Sequence, residues 1–185
     1  MKAKQRIRNM TIIALGAVCM TICAWITVPF AVPFTLQSFG LFLLIFCFGA
    51  KKAFYSVLLY IAIGSVGIPV FSGFGAGIAV LFGPTGGFIL GFLAATGVYF
   101  APESIFKSSK AIAVIGSTLS LAVCYTLGTV WMFFFADVGS KGFFGLLTSS
   151  VLVFIVPDML KIILAYFVAK YLKRVLKLDA DLTAV

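Results

Sequence analysis

Histidine is missing from this chain, only five of its 185 residues are acidic, and its four cysteines form no CxxC pair. The first absence removes the usual general base and the commonest metal ligand. The second leaves few carboxylates for a metal centre or a two-carboxylate acid/base site. Cys19, Cys23, Cys47 and Cys124 all lie inside apolar runs, so they read as small packing residues rather than a disulfide framework or a zinc site. Nucleotide loops are missing as well. Gly73-Phe74-Gly75-Ala76-Gly77 lacks the third glycine of a dinucleotide fingerprint, and Gly83-Pro84-Thr85-Gly86-Gly87 lacks the GK[ST] ending of a P-loop.

What is present is apolar: 63% of the residues are hydrophobic and 10% are charged. That balance belongs to an integral membrane protein rather than a soluble domain. A helix needs roughly 20 residues to cross the hydrocarbon, so the length admits about six spans and no separate soluble domain. The expected architecture is all-α, with a single transmembrane domain over 1–185. Apolar runs cut by proline, glycine and charge predict helices over 9–28, 36–50, 53–68, 81–101, 111–135 and 149–177. The first run is long and lacks a small-residue cleavage pattern, so it reads as a span and not a removed signal.

The 14 basic residues orient this sketch. Lys2, Lys4, Arg6 and Arg8 precede the first span, Lys51 and Lys52 separate the second and third, and Lys107 and Lys110 separate the fourth and fifth. Lys170, Lys173, Arg174 and Lys177 close the chain, leaving Lys141 on the other side and Lys161 within a span. The positive-inside rule then puts both termini in the cytoplasm. The same bias explains most of the net charge of +9, so nucleic acid is not an expected partner. The outer connections become 29–35, 67–83 and 136–148, which hold most of the loop-forming glycines. Irregular backbone near a membrane is tolerated where protein or a water-filled cavity satisfies it, so the site is expected on that side.

One span carries a charged interruption, Pro157-Asp158-Met159-Leu160-Lys161. From Asp158 to Lys177 is about 19 residues, or roughly 29 Å of helix, which places the pair in the outer part of the last span. Spacing of i and i+3 puts both side chains on one face, and Pro157 is expected to start or kink the helix there. A structural ion pair is one reading. A ligand site is the other, because intramembrane charges are costly and are by default functional candidates. Acceptor and donor side by side suit a neutral polar ligand having both N–H and C=O groups.

Four stretches together resemble the BioY family, the biotin-binding S components of energy-coupling-factor vitamin importers. Val32-Pro33-Phe34-Thr35-Leu36-Gln37 resembles its PVPxTLQ loop, and Gly64-Ser65-Val66-Gly67-Ile68-Pro69-Val70-Phe71 its GxxGLPVF stretch. Phe82-Gly83-Pro84-Thr85-Gly86-Gly87-Phe88 resembles GPTGGY, and Asp158 with Lys161 the DxxK of the last helix. The resemblance implies a six-helix S-component fold with ordered outer loops and an outward pocket for biotin. It implies that Asp158 and Lys161 bind the ureido ring and that Thr35 and Gln37 lie at the pocket rim. It also implies that Gly73, Gly75, Gly77 and the turn through Gly83, Thr85, Gly86 and Gly87 bring backbone toward the ligand or fold a lid over it. Phe74-Gly75 and Phe88-Ile89-Leu90 stand where some members carry an asparagine and an arginine. The valerate carboxylate is therefore expected to meet backbone amides, the Ser72 or Thr85 hydroxyl, or water.

The resemblance further implies separate partners, a scaffold membrane subunit and two ATP-binding-cassette subunits, in a bacterial plasma membrane. No cofactor is expected, biotin being the transported ligand. On the first helix Ala14, Ala17, Thr21 and Ala24 form a stripe of small residues, suited either to the scaffold subunit or to internal packing. Two alternatives stay open: an S component for another small vitamin, and an intramembrane enzyme using Asp158 and Lys161 as acid and base. A pore is disfavoured by the lack of polar lining.

Overall fold

The computed structural model describes residues 2–29, 34–105, 110–135, 145 and 153–175. Six long helices are present among them: α1 (Lys2–Trp25), α2 (Gln37–Phe48), α3 (Ala50–Ser65), α5 (Gly86–Ile105), α6 (Lys110–Phe135) and α7 (Val153–Val175). A four-residue helix, α4 (Ile78–Leu81), lies in the connection between α3 and α5. The predicted connection 136–148, apart from Gly145, lies outside the described residues, as do Lys107, Lys141, Lys177 and the Val32-Pro33 half of the first motif.

The boundaries depart from expectation for identifiable reasons. Helix α1 begins at Lys2 because the basic segment is itself made of good helix formers. It ends at Trp25 because Thr27 and Val28 (β1) pair antiparallel with Thr35 and Phe34 (β2), a small hairpin that the apolar run concealed. The break between α2 and α3 falls at Gly49 and not at Lys51-Lys52, which belong to the first turn of α3. Gly49 adopts φ 86°, a left-handed value open to glycine; its N–H ends α2 on the Ile45 carbonyl and its own carbonyl receives the Ala53 N–H. Helix α5 starts at Gly86 rather than at 81, since Pro84 supplies no N–H to continue α4, and the Trp131 indole N–H holds the Gly83 carbonyl at 3.1 Å. Helix α7 runs through Pro157 from four residues upstream, so the carbonyl denied a partner is that of Val153.

Side-chain pairs give the directions. Ser38 meets Asp158 and Phe46 meets Tyr166, so α2 and α7 run parallel, while Gly87 faces Trp131 and Gly116 faces Tyr99, so α5 and α6 are antiparallel. Helix α1 packs on α2 and α3, α2 on α7, and α3 on α5. The α5–α6 contact is close because a methyl on Gly87 would overlap Trp131 and one on Gly128 would overlap the Phe88 ring. Trp25, ending α1, donates to the Pro69 carbonyl at 2.9 Å and stacks near Phe74, so α1 and α3 finish at the same end of the bundle.

The interior is filled by Met20, Leu41, Phe42, Ile45, Val57, Tyr60 and Phe71. The outside is apolar too: Leu15, Val18 and Ile22 on α1, Ile115 and Leu119 on α6, and Ile163, Leu164 and Phe167 on α7 are exposed. Such a surface is the signature of a lipid-facing exterior. Ala3–Trp25 and Ala113–Phe135 are long and apolar enough to cross a bilayer. Helix α2, with 12 residues and so about 18 Å of rise, is shorter than a full span, and its first turn ends inside the bundle.

Candidate functional site

The hairpin and the start of α2 build one wall. Thr35 Oγ1 accepts the Gln37 backbone N–H at 3.2 Å and donates to Gln37 Oε1 at 3.0 Å, a local turn that fixes the entry to α2. The Gln37 amide nitrogen then donates to the buried Tyr60 hydroxyl at 2.9 Å, tying hairpin and α2 to α3. The next residue, Ser38, points at α7.

There Asp158 and Lys161 form an ion pair at 2.6 Å, each residue only 7% exposed. Asp158 is held by three donors from three helices. Lys161 Nζ and Ser38 Oγ, at 2.9 Å, share Oδ1, while the Tyr125 hydroxyl of α6 reaches Oδ2 at 2.6 Å. Lys161 also donates to the Thr35 carbonyl at 2.7 Å, and its ammonium sits 3.8 Å from the centroid of the Phe34 ring. Buried charges are tolerated when paired and hydrogen-bonded in this manner.

The network leaves capacity. Among the described residues two of the three N–H groups of the ammonium and three of the about four lone-pair sites of the ionised carboxylate are engaged in hydrogen bonds. One donor and one acceptor remain, and both residues line a cavity of ≈ 770 Å³ counting its open mouth. Thr35, Gln37, Ser38, Ser72, Thr85 and Tyr125 supply the other polar lining, and Phe34, Phe71, Phe88, Phe92, Leu121 and Phe154 are among the apolar walls.

Of the residues proposed from sequence, Asp158, Lys161, Gln37, Thr35, Ser72 and Thr85 come together around this cavity. Gly73, Gly75 and Gly86 do not line it and serve the loop behind its wall. Gly73 and Phe74 take left-handed φ values of 64° and 60°, turning the chain so that the Phe71 N–H reaches the Gly75 carbonyl at 3.0 Å. Gly86 lies so close to α4 that a methyl would overlap the Leu81 carbonyl. Gly64 leaves room for the Phe71 ring, which packs edge-on against Tyr60 and forms part of the wall. Sequence reasoning missed Ser38 and Tyr125, the two hydroxyls on Asp158. Their only signal is that both are polar residues within apolar runs.

The α1 stripe divides. Ala17 and Ala24 are buried in the core, Thr21 is half-buried with its hydroxyl on the Ala17 carbonyl, and Ala14 is exposed. Gly16, on the same helix, leaves room for Ser56 of α3. Most of the small-residue surface therefore serves the packing of α1 within the bundle.

A lipid-facing helical bundle with a polar-lined cavity among its described residues defines the class: a membrane protein of the S-component fold. The solved S-component for biotin from an ECF-type ABC transporter superposes with a TM-score of 0.81 at 24% identity, covering 94% of this chain and 95% of that one. The BioY family model matches residues 1–178, and the chain belongs to that family. Biotin transporter BioY2 of Lactococcus lactis subsp. cremoris (strain MG1363) is 39% identical over 138 residues, 72% of this chain and 74% of that protein. Biotin transporter BioY of Thermotoga maritima (strain ATCC 43589 / DSM 3109 / JCM 10099 / NBRC 100826 / MSB8) is 34% identical over 153 residues, 82% and 87% of the two chains.

Proposed function

We propose that this chain is the substrate-specific S component of an energy-coupling-factor importer and that it captures biotin. The observation that carries the reading is the Asp158–Lys161 pair, which lines the cavity and keeps one acceptor and one donor position after its bonds to the described residues are counted. The ureido ring of biotin offers the complement, a carbonyl for Lys161 and N–H groups for Asp158. Aromatic walls such as Phe71, Phe88 and Phe92 suit the apolar thiolane and methylene chain. The names of the related transporters and of the superposed structure support the same ligand.

In this reading ATP is hydrolysed elsewhere, by two ATP-binding-cassette subunits joined through a scaffold membrane subunit. Both termini lie in the cytoplasm of a bacterial cell, and the cavity faces outward. The excess of basic residues at one end of the bundle supports that orientation.

Titration calorimetry of the detergent-purified chain tests the ligand, with lipoate and desthiobiotin as comparisons. Biotin is expected to bind tightly without turnover, and desthiobiotin, which keeps the ureido group, to outcompete lipoate, which does not. Absence of biotin binding at high micromolar concentration would leave Asp158 and Lys161 as a structural ion pair and overturn the proposal.

A further inference from the structure

The elements lining the cavity differ in the charge they bring to it, and that difference bears on which ligands it accepts. On α7 sit Asp158 and Lys161, which neutralise one another at 2.6 Å. Among the described lining residues Lys161 is the sole cation; two of its N–H groups go to Asp158 and the Thr35 carbonyl, and the third is the one assigned to the ureido carbonyl. The loop between α3 and α5 contributes neutral polar groups instead: the half-exposed hydroxyls of Ser72 and Thr85, neither of which has a hydrogen-bond partner among the described residues.

Resting on the reading of biotin as ligand, we infer that this site recognises the ureido head and treats the far end of the side chain as a neutral hydrogen-bond acceptor. Its substrate class is then biotin together with side-chain esters and amides of biotin. A hydroxyl donates to an ester or amide carbonyl as readily as to a carboxylate. A carboxylate moved from water to a site whose described lining offers it no further cation also loses hydration that a neutral carbonyl does not. The free acid therefore holds little or no advantage. The described residues do not fully enclose the cavity, so a substituent beyond the carbonyl has a way out.

The test is calorimetry on the full-length detergent-purified chain with biotin, biotin methyl ester, biotin primary amide and biocytin. The three derivatives are expected within about fivefold of biotin, the difference left when no ion pair is at stake. Ser72→Ala and Thr85→Val are expected to weaken acid and amide by the same factor, since both ligands would lose one neutral hydrogen bond. Tight binding of biotin with derivatives weaker by more than about fiftyfold, as loss of a charge-assisted contact would give, overturns the inference while leaving biotin capture intact. No binding of biotin itself overturns the underlying function, and this inference with it.

Discussion

The Tyr125 hydroxyl meets Asp158 Oδ2 at 2.6 Å, joining α6 to α7 across 33 residues of sequence. With Lys161 and Ser38 occupying Oδ1, this bond sets the rotation of the carboxylate and hence which lone pair faces the cavity. A hydrogen bond to a buried charged group is worth about 1.5–3 kcal/mol. Tyr125→Phe is therefore expected to weaken biotin binding by about tenfold or more while the protein still elutes as a single species. Ser38→Ala should act in the same direction. Unchanged dissociation constants for both variants would show that Asp158 needs no orientation from α6 or α2.

Asp158→Asn and Lys161→Met separate ligand binding from structural pairing. Each is expected to weaken biotin by well over about tenfold, because truncation leaves a buried ligand group unpaired at about 1–3 kcal/mol or more. Midpoints of thermal unfolding measured without and with biotin should fall modestly in the first case and lose the ligand-induced rise in the second. A large loss of stability with normal binding by the surviving protein would identify a purely structural pair.

Gly64→Ala is expected to cost both stability and affinity. The added methyl overlaps the Phe71 ring, a cavity wall, and overpacking of this kind costs about 1–3 kcal/mol. Gly67→Ala is the control: its φ of 108° strains any side chain, but nothing lies within 4 Å of the new atom. It should lower the unfolding temperature and leave the dissociation constant unchanged.

Helix α1 offers a matched pair. Ala17 is buried and Ala14, three residues earlier, is exposed. Ala17→Leu is expected to destabilise the chain by about 1–3 kcal/mol through overpacking, seen as a lower unfolding temperature. Ala14→Leu should fold and bind biotin normally. If α1 meets the scaffold subunit, Ala14→Leu reduces co-purification with that subunit when the two are co-expressed.

The orientation is open to cysteine labelling. Val66, 85% exposed just past α3, and Arg174, exposed in the last turn of α7, lie at opposite ends of the bundle. In intact cells Val66→Cys is expected to react with a membrane-impermeant maleimide and Arg174→Cys only after permeabilisation. The reverse pattern would place both termini outside.

The class of the protein, the number of long helices and the pairing of Asp158 with Lys161 were all legible in the sequence. Each rests on composition or on a local pattern: apolar runs bounded by charge, and two ionisable residues three positions apart in one such run. The helix boundaries were less legible where one residue overrode the pattern. Gly49 breaks the chain two residues before the lysines, since its left-handed φ stops a helix and Lys51 and Lys52 are good helix formers. The hairpin of β1 and β2 was invisible because two paired residues per strand leave no period to detect.

The glycine-rich motifs pointed to the loop that adjoins the cavity, but not to which of its residues line it. Gly73, Gly75 and Gly86 shape the loop, whereas Ser72 and Thr85 beside them line the cavity. Nothing in a one-dimensional spacing distinguishes a glycine that approaches a ligand from one that approaches a neighbouring backbone.

By itself the sequence determined that this chain lives in a bilayer and that one span carries a charged pair. Hydrophobicity and helical spacing are local properties, readable without knowing what lies nearby. Tertiary structure alone decided what that pair touches. Ser38, Tyr125 and the Thr35 carbonyl reach it because parallel packing of α2 on α7 and the position of α6 bring them there. Tertiary packing likewise turned Ala17 and Ala24 inward. Which hydroxyl meets which carboxylate depends on helix rotation and crossing, and those are set by the close fit of side chains from distant segments.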